Sequence, residues 1–389
     1  MIGAWHLSYL RLRRRPWTTL VLVLSLALTL ALPFGVRVLM AGYEQQLLQR
    51  AASTPLILGS RSNRFDVVLS ALYFRQARLE PISLPERQRL QDQAEGVVVP
   101  LHLGFQAQGY PLVGTTPEYF ERRHLRTRSG HWPLMAGEAI LGATVAKRLK
   151  LETGNFLFSD VPELYDLTVP PALKLRVSGI LQASKGPDDE AVFVDLSTSW
   201  ILEGFAHGHQ DPEEVDSKLV LGGDEDGVVM SRALLSYQEI TPENLASFHD
   251  HGDPERLPLT ALLFWPASSK EGTLLKTRIN QGQALRMFDP QKVVEELLAY
   301  VLRIRRLVDY LSGILAAVTL TLGGLVFLLS SRLREAEFRT LQRLGCSRFF
   351  VTRLILDEIG MVVSAALLLA LTSVAVAGLF LGDVAAWLR

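Results

Sequence analysis

Histidine is the residue type whose spacing in this 389-residue sequence first suggests chemistry. Four of the eight histidines fall in two short motifs, His207-Gly208-His209 and His249-Asp250-His251. Alternate residues of an extended segment lie on the same side, and imidazole with nearby carboxylate suits zinc or copper. The four histidines are therefore candidate metal ligands, with zinc as the candidate cofactor. The alternative is two polar loops that contain histidine, because nothing in the sequence shows that the two segments meet.

Motifs of the common catalytic centres are absent from the sequence. No G-x-x-x-x-G-K-[ST] loop is present, and ATP hydrolysis needs the backbone amides and lysine of that loop around the phosphates. The sequence also lacks the G-x-S-x-G and H-E-x-x-H motifs. The acidic runs 188–190 and 224–226 adjoin glycines, and such runs are usually solvated turns. We therefore predict no enzyme activity and no cofactor on this chain apart from the candidate zinc.

Composition excludes some partners and indicates others. Lys and Arg number 40, as do Asp and Glu, so the chain has no net charge with which to attract nucleic acid. Cys346 is the only cysteine, which excludes a disulfide within the chain. Hydrophobic residues make up 48% of the sequence and are clustered, which is typical of a membrane protein.

Three uncharged stretches, 17–36, 310–331 and 359–382, are each long enough to span a bilayer. We predict transmembrane segments over 17–41, 307–331 and 357–382. The first could instead be a cleaved signal peptide, but its apolar run is longer than a typical signal core. We therefore favour an uncleaved anchor.

Arginine placement predicts the orientation of these segments. Four arginines precede the first segment and six lie between the second and third, so both regions should face the cytoplasm. Three arginines within 303–306 oppose this assignment but are outnumbered. Residues 1–16 then form a cytoplasmic helix, 332–356 a cytoplasmic loop, and 383–389 an external tail. Residues 42–303 form a large external domain, for which short β-like runs and a helical patch at 84–94 predict a mixed α+β fold with stalk helices at both ends.

Several motifs, in order, resemble the MacB/FtsX-type (type VII) ABC transporter permeases. Residues 113–120 (V-G-T-T-P-E-Y-F) are similar to the V-G-x-x-P-x-Y-F of the MacB-like periplasmic domain. Residues 137–146, 176–181 and 192–196 resemble the blocks that follow it. Residues 337–348 (E-F-R-T-L-Q-R-L-G-C-S-R) with Glu358 resemble the cytoplasmic E-x-x-x-L-R-A-L-G-A-S-R motif. The family pattern ends with a fourth span, so this member either lacks that span or the sequence is a truncated product.

The resemblance implies a permease subunit in the bacterial inner membrane, with its large domain in the periplasm. It implies mechanotransmission, in which an ABC ATPase on a separate subunit drives movement or extraction of a periplasmic or membrane substrate. The implied partners are that ATPase, a second permease copy (identical or paralogous), a periplasmic adaptor or substrate-binding protein, and membrane lipid. One alternative is a zinc-linked transport complex that uses the histidine motifs. Another is an FtsX-like regulatory transducer that activates a periplasmic partner.

The loop 332–356 is the predicted contact with the ATPase. Read as a helix, it offers an apolar ridge with arginines on either side, and Gly345 permits a sharp turn. The alternative is a membrane-surface helix that binds anionic lipid. The predicted coupling residues are Arg334, Glu337, Phe338, Leu341, Leu344, Gly345, Ser347, Arg348 and Glu358.

Overall fold

The structure is a computed structural model in which two compact units are distinguished. It describes residues 2–14, 16–160, 172–208, 220–224, 227–230, 239–245, 248–250, 257–333, 335–343 and 345–384. The helical unit comprises Met1–Gln45 and Leu298–Arg389, and the α/β unit comprises Gln46–Leu297. The helices are α1 (Ile2–Arg14), α2 (Pro16–Ala52), α3 (Arg64–Tyr73), α4 (Pro85–Gln93), α5 (Pro117–Arg122), α6 (Ala143–Leu149), α7 (Leu196–Glu203), α8 (Ser269–Gln281), α9 (Pro290–Leu333), α10 (Glu335–Arg343) and α11 (Arg348–Val384).

Among the described residues of the helical unit, three helices are long and apolar enough to cross a membrane. The qualifying stretches are Pro16–Val38 of α2, Asp309–Val326 of α9 and Phe349–Val376 of α11. Large apolar side chains on them, such as Trp17, Leu328 and Leu368, are exposed, as expected of lipid-facing positions. Helix α11 begins nine residues before the predicted span 357–382, because the helix continues beyond the uncharged stretch.

Small and hydroxyl side chains join the helices of this unit. Ala27 of α2 packs with Ala366 and Ala370 of α11, and small residues allow helix backbones to approach closely. The hydroxyl oxygens of Thr29 and Thr319 are hydrogen-bonded at 3.2 Å, which connects α2 to α9. Such contacts replace the hydrophobic drive that is missing between helices in lipid.

The α/β unit is built on a ten-stranded mixed sheet. Its strands are β1 (Leu56–Ser60), β3 (Gly96–Ala107), β4 (Tyr110–Thr115), β5 (Thr127–Gly130), β6 (Glu138–Leu141), β7 (Phe156–Phe158), β8 (Lys174–Leu181), β9 (Val192–Asp195), β15 (Ala261–Pro266) and β16 (Leu285–Phe288). The order is β16-β1-β15-β3-β4-β9-β6-β8-β5, and β7 pairs with β8. The pairs β4·β9 and β6·β8 are parallel, and the others are antiparallel.

Short strand pairs lie beside this sheet. They are β2 (Ile82–Ser83) with β14 (Pro258–Leu259), β10 (Ala206–Gly208) with β13 (Phe248–Asp250), and β11 (Val220–Asp224) with β12 (Gly227–Met230). The twelve-residue strand β3 pairs with β15 along its first half and with β4 along its second. It therefore joins two hydrophobic cores, one around Leu58, Leu262 and Phe264, the other around Leu141 and Val177.

Polar side chains start several helices of this unit. The Asn63 side chain accepts a hydrogen bond from the Phe65 backbone N–H at α3, and Ser268 accepts one from Glu271 at α8. The Asp195 carboxylate accepts bonds from backbone N–H groups at the start of α7. Such caps satisfy donors that the first helical turn leaves free.

The predicted fold class, helical spans with a large mixed α+β domain, is confirmed. The β-like runs 96–99 and 175–181 lie in β3 and β8, and the helical patch 84–94 contains α4. The α/β unit lies within the predicted domain 42–303.

Candidate functional site

The segment between α9 and α11 contains the strongly amphipathic helix α10. Glu337, Phe338 and Leu341 lie on α10, where residues three or four apart occupy neighbouring surface positions. The exposed side chains of Arg339 and Arg343 lie on the same helix. Among the predicted coupling residues, Arg334 and Leu344 lie outside the described residues, and for Glu337, Phe338, Leu341 and Arg348 only the backbone is described.

A tight turn follows α10. Gly345 has a φ of +92°, which L side chains rarely adopt, and an added Cβ would meet no atom within 4 Å. Ser347 then starts α11, because its hydroxyl accepts a hydrogen bond from the Phe350 backbone N–H at 3.2 Å. The predicted turn at Gly345 is therefore present, and glycine is needed for its backbone conformation.

Glu358 lies inside the helical unit and is 6% exposed. Its Oε1 is 3.7 Å from Nη1 of Arg11, and the Ser8 hydroxyl donates to the Leu354 carbonyl oxygen at 3.1 Å. Both contacts join α1 to the start of α11. A coupling role for Glu358 stays a prediction, and its contacts would make it act through α1.

The two histidine motifs meet in the pair β10·β13. His207 lies directly opposite His249 in this antiparallel register, with Ala206 opposite Asp250. The two histidine positions are therefore backbone neighbours across this strand pair. His209 and His251 lie outside the described residues, and within the described part of the chain no group of three metal-ligating residues is present.

The acidic run 188–190 departs from its sequence prediction. It forms a 3-10 helix in which Asp188 and Asp189 are 2% and 6% exposed, so the expectation of a solvated turn is wrong. The Asp189 carboxylate accepts hydrogen bonds from the backbone N–H groups of Ser184 and Lys185, which holds the preceding loop. The other run is described only at Asp224, which ends β11, and residues 225–226 lie outside the described residues.

Asp188 is ion-paired with Arg50, which lies in the last turn of α2. Nη1 of Arg50 is 2.5 Å from Oδ2 of Asp188, and Nη2 is 2.9 Å from Oδ1, so the pair is bidentate. The Tyr119 hydroxyl donates to Oδ1 of Asp188 at 2.6 Å and accepts from Nη2 of Arg50 at 2.8 Å. Nε of Arg50 donates to the Leu72 carbonyl oxygen at 3.1 Å. We call Arg50, Tyr119 and Asp188 the anchor cluster.

A second arginine fixes the residues that follow α2. Arg123 donates from Nη1 to the Ser53 hydroxyl and from Nη2 to the Thr54 hydroxyl, each at 2.5 Å. The Trp265 indole N–H donates to the Ser53 carbonyl oxygen at 3.0 Å. The end of α2 is thus held by side chains from α5, from the loop around residue 188 and from β15.

Electrostatics keep Arg50 and Asp188 ionised and Tyr119 neutral. Burial alone would raise the pKa of Asp188, but the charge of Arg50 and hydrogen bonds from Arg50 and Tyr119 lower it overall. Burial tends to lower the pKa of Arg50, and its interactions with Tyr119 and Asp188 reverse this into a net increase. Burial raises the pKa of the Tyr119 hydroxyl, which therefore stays protonated and donates to Asp188.

The anchor cluster is suited to hold structure rather than to catalyse. Both carboxylate oxygens of Asp188 are engaged by Arg50 and Tyr119, which leaves a poor proton acceptor. Its three members come from positions 50, 119 and 188, so no local motif reveals it. The one available signal was Tyr119, which stands in the V-G-x-x-P-x-Y-F motif.

Comparison with known proteins finds no matching protein-family model and no matching curated protein. Among solved structures, the chain is similar to the periplasmic region of MacB from Actinobacillus actinomycetemcomitans, with 9% identity over 64% of this chain and 97% of that one and a TM-score of 0.37. It is similar to the extracellular domain of the ABC-type transporter YknZ from Gram-positive bacteria, with 11% identity over 60% of this chain and 98% of that one and a TM-score of 0.33. It is also similar to a domain of a permease protein from Porphyromonas gingivalis, with 8% identity over 60% of this chain and 85% of that one and a TM-score of 0.27. At these values the similarity assigns no family to the chain.

Proposed function

We propose that this chain is the permease subunit of a bacterial ABC transporter, driven by an ATPase on a separate subunit. The observation that carries the proposal is α10, an arginine-bearing amphipathic helix between two apolar helices, in the segment whose sequence resembles the family's coupling motif. Such a helix has the apolar face and basic rim that fit a groove on a partner protein. The subunit lies in the inner membrane, with the α/β unit in the periplasm.

The chain would act by mechanotransmission on a periplasmic or membrane-embedded substrate. Helix α2 is continuous from Pro16 to Ala52, and α9 from Pro290 to Leu333. At about 1.5 Å per residue, each is longer than the hydrocarbon core of a bilayer. The anchor cluster supports this role, because four hydrogen bonds of Arg50 hold the last turn of α2 within the α/β unit. Movement of α2 would then act on the side chains that hold its last turn.

Binding of the ATPase is tested by placing a charge on the apolar side of α10. Leu341→Asp should abolish co-purification of the ATPase subunit, because a buried carboxylate would have no partner in an apolar groove. The measurement is affinity purification of the tagged full-length chain from cells that express both subunits.

Ala336→Asp is the matched control for this experiment. Ala336 is exposed and lies five residues before Leu341 on α10. That spacing turns its side by about 140° around the helix axis, so Ala336→Asp places the same charge on the opposite side. Co-purification should survive in Ala336→Asp. Unchanged co-purification with Leu341→Asp would contradict the proposal, whereas loss in both variants would point to charge alone.

A second candidate function is a zinc-linked transport complex, favoured by the His207–His249 register. A structural zinc site takes four protein ligands, and the two motifs together carry four histidines. Zinc titration of the detergent-solubilised full chain should show one tight site, which the quadruple histidine-to-alanine variant loses. Affinity that survives removal of all four histidines would end this candidate.

A further inference from the structure

A cavity of about 850 Å³ lies within the helical unit between α1, α2 and α11. Most of its wall is apolar, including Val23 of α2 and Leu368 of α11. Two charged residues also line it, Arg13 from α1 and Asp357 from α11. Neither side chain has a hydrogen bond or ion pair with another residue in the described ranges. Charges of both signs beside one apolar cavity match a ligand that carries both charges and an apolar chain.

The neighbouring contacts place the charged end of the cavity near the membrane surface. Glu358 is next to Asp357 and pairs with Arg11, which precedes the apolar stretch Pro16–Val38. Trp5 and Tyr9 of α1 also line the cavity, and both residue types concentrate at headgroup depth. Leu368 lies eleven residues beyond Asp357 on α11, about 16 Å deeper into the hydrocarbon. The cavity therefore has a charged mouth at headgroup level and an apolar interior at acyl-chain level.

We propose that this cavity binds a zwitterionic phospholipid that carries a primary amine, as phosphatidylethanolamine does. Arg13 would contact the phosphate, and Asp357 would accept hydrogen bonds from the ammonium group. An acyl chain would cover Val23 and Leu368. The two opposite charges favour this headgroup over an anionic one, because Asp357 repels a lipid that has only negative charge. The inference rests on the chain lying in a membrane and is independent of the ATPase.

The test compares two lipids on the full chain. The chain is extracted into mild detergent from vesicles of equal parts phosphatidylethanolamine and phosphatidylglycerol, and retained lipids are counted by native mass spectrometry. The unmodified chain should retain phosphatidylethanolamine over phosphatidylglycerol by about fivefold, the ratio that one partly exposed charge pair provides. Asp357→Asn should bring the ratio close to one.

Two further variants separate headgroup recognition from cavity shape. Arg13→Gln should lower retention of both lipids, whereas Arg14→Gln, at an exposed residue that does not line the cavity, should not. A Cβ at Gly360 meets no atom within 4 Å, so Gly360→Leu extends into the cavity and should lower retention of both lipids. Circular dichroism confirms that each variant keeps its helix content.

Three outcomes would overturn the proposal. The unmodified chain could retain the two lipids equally, which would indicate a non-selective groove. Asp357→Asn could keep the fivefold ratio, which would show that the Asp357 carboxylate takes no part in headgroup recognition. The chain could retain no lipid and elute as a dimer, which would assign the cavity to a second copy.

Discussion

Arg50 and Asp188 form a charged pair whose net contribution to stability is smaller than the number of its hydrogen bonds suggests. The side chains of the two residues are 11% and 2% exposed, so both were removed from water on folding. The cost of that desolvation offsets much of the attraction between them, but removal of one partner leaves an uncompensated buried charge. A pair of this kind fixes geometry, and its loss is costly.

Asp188→Ala should lower the free energy of unfolding by about 3 to 5 kcal/mol, and Arg50→Ala by a similar amount. The double variant should lose less than the sum, because each single change strands the charge of the other residue. Urea unfolding of the purified chain, followed by tryptophan fluorescence, measures all three. Asp66→Ala is the matched control, since Asp66 forms a more exposed pair with Arg75 and should cost under about 1 kcal/mol. Full additivity of the two anchor substitutions would show that they do not interact.

Acid should weaken the fold through the same carboxylate. The pKa of Asp188 is below its ordinary value of 3.8 in the folded chain, so the folded state binds fewer protons than the unfolded state in this range. The stability that ionised Asp188 contributes is fully present above the pKa of this carboxyl in the unfolded chain. It is lost as the pH falls through the lower pKa of the folded chain. Asp188→Asn should therefore show a flatter decline of the urea midpoint below about pH 4. An identical decline in both proteins would assign the acid sensitivity to other groups.

At the scale of elements, the turn between α10 and α11 depends on one backbone conformation. Gly345 separates an amphipathic helix from an apolar one, and its positive φ sets the direction of the chain between them. Any force delivered to α10 would have to pass this turn to reach α11. The turn therefore requires glycine at position 345 and lies between α10 and α11, along which the proposed force would pass.

Gly345→Ala should destabilise this turn by about 1 to 2 kcal/mol, because a Cβ makes the left-handed conformation unfavourable. We expect weaker co-purification of the ATPase together with little change in the melting of the α/β unit. Gly324→Ala is the comparison, since Gly324 lies inside α9 with open space around it and alanine favours helix. Equal effects of the two substitutions on ATPase binding would argue against a special role for the turn.

At the scale of the whole molecule, the single cysteine offers a test of topology. Cys346 lies between α10 and α11, in the region proposed to face the cytoplasm. In spheroplasts, a membrane-impermeant maleimide should fail to label it until the membrane is permeabilised. Lys270→Cys in a Cys346→Ser background should be labelled directly, because Lys270 is exposed on α8 of the α/β unit. The reverse pattern would place the α/β unit in the cytoplasm and remove the proposed function.

The sequence predicted those features that depend on neighbouring residues. Uncharged length revealed the helices that carry the three apolar stretches, and the run 175–181 predicted strand β8. Contacts between residues far apart in the sequence could not be predicted from it. Asp188 is adjacent to Asp189 and Glu190, a pattern usually found in water, and only contact with Arg50, 138 residues earlier, accounts for its burial. The opposition of His207 and His249 likewise depends on pairing between distant strands.

Arg50 is also a natural reporter of how the end of α2 opens. Trypsin cleaves after arginine only where the chain is accessible and extended, and Arg50 is helical, buried and hydrogen-bonded. Local opening of a native protein exposes such a bond in proportion to the free energy of that opening. The rate of cleavage between Arg50 and Ala51 therefore measures how often the contacts of Arg50 open, and it would report any loosening of them during the proposed nucleotide cycle.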